Sequence, residues 1–144
     1  MHHIVYLDSN GKDLDHLLTG KKTMIVRGAM SPKIPFGRVV AEDQIYFLLQ
    51  NGDGFIKSRA RVMSATVYGN LSQESSYSLV EEYQDRLLLS IAQMKRTSGK
   101  RFITLIELGQ VDQIGDLKIN VSLLDESDSW LILDDIKNVL MEAA

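Results

Sequence analysis

A chain of 144 residues, 44% of them hydrophobic, is enough for a single domain that buries about 68–70% of the surface its unfolded chain exposes. It has no cysteine, which excludes disulfides, thiolate nucleophiles and cysteine-ligated zinc, and which fits the cytoplasm. A net charge of −3 argues against a wholesale nucleic-acid coat, yet residues 1–61 hold nine Lys and Arg against six Asp and Glu, while residues 62–144 hold seven against thirteen. Such asymmetry can mark one basic face on an acidic protein. The start reads as neither a basic leader nor a signal peptide, and apolar runs such as Ile45–Leu49 are far too short for a membrane span.

In chain order, His3–Leu7 reads as a short strand closed by the turn-rich Asp8-Ser9-Asn10-Gly11. Leu14, Leu17 and Leu18 then sit at helical spacing, with Asp13 placed to cap the start and Gly20 where a left-handed stop belongs. Met24–Val26 reads as strand. A helix that stops on glycine and turns at once into a strand presents Lys21, Lys22 and the backbone around Gly20 at a corner open to an anion. The letters of Gly20-Lys21-Lys22-Thr23 do not make a phosphate-binding P-loop. That motif needs a glycine where Asp15 stands, Ser or Thr where Lys22 stands, and a strand before a helix rather than after one.

Gly28–Arg38 holds both prolines, Pro32 and Pro35, and reads as an irregular loop beside the lysine corner. Gln44–Gln50 suits a buried strand, and Asn51-Gly52-Asp53-Gly54 is a hairpin signal. In the partner strand, Phe55–Tyr68, alternation sends Lys57, Arg59 and Arg61 to one face and Ile56, Ala60 and Val62 to the other. This basic stripe suits a polyanion, or else a compensating acidic helix carrying Glu81, Glu82 and Asp85. A capping box at Ser78–Glu81 predicts one helix to Gly99, with Leu79, Val80, Tyr83, Leu87, Ile91 and Met94 on its apolar face. Lys95 and Arg96 complement its dipole.

Arg101–Leu108 reads as a central strand in which Glu107 is either exposed or buried and paired. Residues 109–129 read as loop with a short strand near Lys118–Val121, and Trp130–Leu133 is apolar. Residues 134–142 suit a terminal helix appended to the domain, with Ile136, Val139 and Leu140 inward. The pattern indicates an α+β domain around a mostly antiparallel sheet.

Two stretches carry a family resemblance. Leu17-Leu18-Thr19-Gly20-Lys21-Lys22-Thr23, followed by a strand ending in Arg27, resembles the G-x-K-x signature and downstream arginine of ASCH domains, which are PUA-like. Ala41-Glu42-Asp43-Gln44-Ile45-Tyr46-Phe47 is similar to that family's G-D-x-I/V-x-F element, with Glu42 where glycine is usual. The resemblance covers roughly residues 13–110 and implies a PUA-like β-barrel flanked by helices.

It also implies a cleft lined by a lysine and an arginine at the positions of Lys22 and Arg27. The leading expectation is a small binding module for RNA or a nucleotide. Lys22 and Arg27 would contact phosphate or base, Lys21 would support them, and Lys57, Arg59 and Arg61 would extend the basic surface. A solvated turn with a salt-bridged arginine is the bland alternative.

A second expectation is a hydrolase. Some ASCH proteins are amidohydrolases on an acylated nucleoside that use a lysine, a threonine and a glutamate. Lys22 matches the lysine, Glu81 or Glu82 is the candidate glutamate, and Ile25 stands at the threonine position with no hydroxyl to offer. A third is a protein-interaction domain. No cofactor is implied. His2 and His3 lie at the terminus and His16 in the short helix, more often a surface residue than a base or ligand, and Asp125, Glu126 and Asp128 lack the pattern of a calcium loop, so no metal is expected.

Overall fold

The computed structural model describes residues 1–8, 12–49, 54–123 and 130–141. The elements run β1 (His2–Leu7), α1 (Asp13–Leu18), β2 (Met24–Ala29), β3 (Gln44–Leu49), β4 (Phe55–Tyr68), α2 (Gln73–Glu82), α3 (Gln84–Leu87), α4 (Ile91–Thr97), β5 (Phe102–Lys118) and β6 (Trp130–Leu133). Six strands form one mixed sheet in the order β2-β5-β4-β3-β1-β6. Only β1 and β3 pair in parallel; the other pairs are antiparallel. This is the expected α+β architecture.

The sheet curls into a half-barrel. Three strands separate β2 from β1 in the order, yet the Arg27 guanidinium on β2 donates to the Tyr6 carbonyl on β1 at 3.1 Å. Inside the curl, Val5 and Leu7 of β1 pack with Ile25 of β2, Ile45 and Phe47 of β3, Val62 of β4, Ile106 of β5 and Trp130 of β6. On the outer face, α2–α4 cover β2 and β5 through Val80 and Leu87 against Met24, Val26, Ile103 and Leu105. A third cluster, built on Ile4, Tyr46, Ile56, Ile119, Ile136 and Val139, closes the far side. β3 and the first half of β5 are apolar on both faces because both faces are covered, whereas β4 alternates buried and exposed residues.

Several elements differ from the sequence expectation. The single helix over 78–99 is three segments. Its true start is capped by Ser72, whose side chain accepts from Ser75 N–H at 3.1 Å, while Leu88 in the left-handed region ends α3. Ser90 and Gln93 then form a complete capping box that starts α4 anew, which leaves Ile91 79% exposed rather than inward. The strand read as ending at Leu108 runs on to Lys118, because all of β4 pairs along it; register shifts at Ile56/Ser58, Ala60/Val62 and Val62/Ser64 bend the ribbon and curve the sheet. The terminal helix is a 3₁₀ turn, Ile136–Val139, with Ile136 and Val139 buried and Leu140 bridged to Ile119. The turn residues 9–11, the hairpin residues 51–53 and the acidic Asp125, Glu126 and Asp128 lie outside the described residues.

Candidate functional site

The site begins with α1. Asp13 does not cap this helix; it is the first helical residue, and its buried carboxylate points inward. Gly20, at φ +79°, ends the helix as its sequence predicts. The corner's amides are then consumed by the stop itself: Gly20 N–H donates to the Leu17 carbonyl, Lys22 N–H to His16 and Thr23 N–H to Arg86. The backbone around Gly20 therefore has no donors left over at those residues for an anion. Lys21 is exposed and lines no part of the cleft described below.

Lys22 turns inward. It is 3% exposed, and its ammonium donates to the Leu87 carbonyl and stands 3.6 Å from the Asp13 carboxylate. Burial lowers its pKa from the ordinary lysine value, with the Asp13 charge opposing the shift and Arg27 adding to it. Asp13 also accepts from the Gln93 amide at 2.9 Å. That same Gln93 side chain accepts from Ser90 N–H in the α4 capping box, so the start of α4 and the charge pair beneath it are fixed together.

Arg27, on β2, is held by carbonyls. Its guanidinium donates to Val26 at 2.9 Å and Tyr6 at 3.1 Å, and it lies 5.5 Å above the Trp130 ring. Among the described residues it forms no ion pair. Burial lowers its pKa, opposed by the charges of Asp13 and Asp8, but a guanidinium stays protonated under any physiological condition.

Lys22 and Arg27 share one cleft of about 280 Å³, walled by β1, β2, α1 and α4 and completed by Asp8, Asp13, Gln93, Arg96 and Thr97. Arg96 pairs with Asp8 at 2.7 Å and is otherwise open to solvent; that pairing lowers the Asp8 pKa. Three cations against two carboxylates leave the cleft with a net positive charge, on a chain whose total is −3.

Behind it lies a buried polar network that no single stretch of the sequence announces. His3 is fully buried, not exposed: its Nδ1 accepts from Trp130 Nε1–H at 3.0 Å and its Nε2 faces Asp43 at 2.9 Å. An acceptor at Nδ1 requires the proton on Nε2, so His3 is neutral and donates to the Asp43 carboxylate. Trp130 is thereby locked under Arg27.

The remaining candidates lie elsewhere. Lys57, Arg59 and Arg61 are exposed on one face of β4, as alternation predicts, but line no part of this cleft. Arg61 pairs with Glu42 at 3.2 Å, and Asp112 of β5 lies across from Arg59 in the strand register. Glu81 and Glu82 are exposed at the end of α2 and do not reach the cleft; the carboxylate beside Lys22 is Asp13. Ile25 does line the cleft. Glu107 is half-exposed and faces Arg86 at 3.6 Å. Asp8, Asp13, Gln93 and Arg96 were missed as cleft residues. Gln93, Arg96 and Thr97, at helical spacing, were the one legible trace of a polar face.

Neither a protein-family model nor a curated protein matches the sequence. Solved structures do match. The ASCH protein of Zymomonas mobilis aligns with a TM-score of 0.70 at 15% identity, over 95% of this chain and 90% of that one. Two variants of the same protein, a tyrosine-to-phenylalanine and a serine-to-alanine exchange, give 0.69 at 15% identity and 0.68 at 13%. Both cover 95% of this chain, and 93% and 91% of their own.

Proposed function

From the ASCH-type, PUA-like fold that this chain has, we propose that it is a binding module for a nucleotide or an unpaired nucleotide of RNA, held in the cleft of Lys22 and Arg27. The observation that carries this reading is Arg27: a guanidinium fixed by two carbonyls and an indole, facing a cleft, and in no ion pair among the described residues. A pre-oriented fork of this kind suits a phosphate or the acceptor edge of a base. The volume, about 280 Å³, suits one nucleoside-sized group and cannot take a duplex. Gln93 and Thr97 supply further polar contacts, and Ile25, Leu89 and the Tyr6 side supply apolar surface.

The test is equilibrium binding of nucleoside monophosphates and short single-stranded RNA to the intact chain. Arg96→Ala is the first variant, because Arg96 is largely exposed and its loss should leave the fold unchanged. Affinity should fall about fivefold or more, and Arg27→Lys should cost more because a point charge cannot reproduce the fork. Unchanged affinity in both variants would place any ligand elsewhere.

One observation favours a second reading, a hydrolase acting on acylated nucleosides. Lys22 is buried beside Asp13 with its pKa lowered, the kind of setting in which a lysine exchanges protons. In this reading Asp13 takes the place expected of Glu81 or Glu82. With Ile25 at the threonine position, a nucleophile must come from water. No turnover by the purified chain across a panel of acylated nucleosides would remove it.

A further inference from the structure

The cleft does not end at Arg27. Arg27 and Gly28 also line a shallow depression on its other side, bounded by Lys33, Phe36, Phe102 and Thr104. Phe36, from the loop after β2, and Phe102, at the start of β5, meet edge to face with centroids 5.4 Å apart and planes at 89°. In such a pair the ring that presents its edge keeps its own faces clear of its partner.

Gly69 stands over both rings. A Cβ there would sit 3.4 Å from Phe102 and 3.8 Å from Phe36, so glycine at this exposed position leaves the approach to the rings open. Gly28 lines both depression and cleft, and the stem of Lys100 packs on it, 3.1 Å from where a Cβ of Gly28 would be. Lys33 lines the depression, Lys100 packs on Gly28, and Arg38 and Arg101 stand within two residues of Phe36 and Phe102 in the chain. Among the described residues none of the four forms an ion pair, although Arg101 bonds the Asn70 side chain. Uncompensated cations near an approachable aromatic pair match a strand of alternating phosphates and flat rings, and among the described residues no carboxylate lines the depression.

We infer that Phe36 and Phe102, with Lys33 and Lys100, form a second nucleotide subsite next to the cleft, so that the ligand is a single strand of two or more nucleotides rather than a free mononucleotide. This rests on the cleft reading above. One base enters the cleft at Arg27, its neighbour stacks on the phenylalanine pair, and Lys100 lies where the linking phosphate crosses Gly28. Ribose and deoxyribose strands offer the same rings and phosphates, so both belong in the test.

The experiment is a length ladder of mono-, di- and trinucleotides, as RNA and as DNA, titrated against the parent chain, Phe36→Leu and Gly69→Val. Phe36→Leu keeps an apolar side chain but removes the stacking face, and Gly69→Val covers the rings without touching the cleft. A stacked base should tighten the parent's binding about tenfold from mono- to dinucleotide. Both variants should lose that gain and keep the parent's mononucleotide affinity. A preference of the ladder for RNA or for DNA would identify the strand.

Equal affinity for mono- and dinucleotide in the parent would overturn the second subsite and leave the cleft reading intact. So would a gain that survives both substitutions. No binding at any length would overturn both.

Discussion

Lys22 shows how a single residue can be both fold and site. Its ammonium is spent on the Leu87 carbonyl and the Asp13 carboxylate, so it ties α1 to α3 across the β2 entry. Lys22→Met keeps the stem and removes the charge, leaving the buried Asp13 with only its Gln93 partner. That should cost about 1–3 kcal/mol, seen as a lower urea midpoint at unchanged slope. A variant as stable as the parent would show that Asp13 does not depend on the ammonium. His3 carries a pH dependence. Burial lowers its pKa from 6.5, against the raising influence of Asp43, and a proton on Nδ1 would oppose the Trp130 N–H donor. The unfolded chain takes up this proton below about pH 6.5 while the folded one resists, so stability is full above that pH and declines as pH falls through it. Asp43 acts lower down. Desolvation raises its pKa, but the bonds from His3, Val40 N–H and the terminal amine outweigh it, so its contribution holds above about pH 3.9 and is lost below. His3→Gln should flatten the stability profile between pH 7 and 5; the same slope in that variant would assign the effect to another group.

At the scale of elements, the turn before β3 carries a mismatch between residue and backbone. Glu42 has φ +78° and an exposed side chain paired with the exposed Arg61. A side chain in the left-handed region costs about 1–2 kcal/mol, partly offset by glycine's greater freedom when unfolded, and an exposed ion pair contributes little. Glu42→Gly should therefore stabilise the chain by about 0.5–1 kcal/mol, raising its melting temperature by a few degrees; a lower melting temperature would show that the Arg61 pair outweighs the strain. The resemblance to the G-D-x-I/V-x-F element flagged this position, and the backbone supplies the reason. Legibility followed the range of the physics. Alternation located β4 to the residue, and Gly20 announced the end of α1, because both signals are local. The breaks at Leu88 and Ser90 were overridden in the reading by an apolar period that ran through them. Residues 109–118 are strand only because β4 lies alongside. Likewise the cleft gathers residues from 6–8, from Asp13, from 22–28 and from 89–97, whose proximity is a property of the curled sheet and not of any one stretch.

For the whole molecule, what matters is that a chain of net charge −3 keeps a net positive charge in a small concave region. A protein that coats nucleic acid neutralises many phosphates and releases many counterions, and its affinity collapses with salt; one that seats a short strand releases few. With the cleft and the neighbouring subsite each meeting one phosphate, the slope of log affinity against log salt for a single strand should be about −1.4, a loss of about sevenfold between 50 and 200 mM. The basic stripe gives the contrast. Arg61 is paired with Glu42, and Arg59 lies across from Asp112 in the strand register. Arg59→Ala should leave the slope where it is, whereas Lys100→Ala should reduce it by about 0.7. A slope near −4 that falls with Arg59→Ala would move the binding face from the cleft to the outside of β4, and the protein would then be a surface binder whose fold merely presents a charged strand.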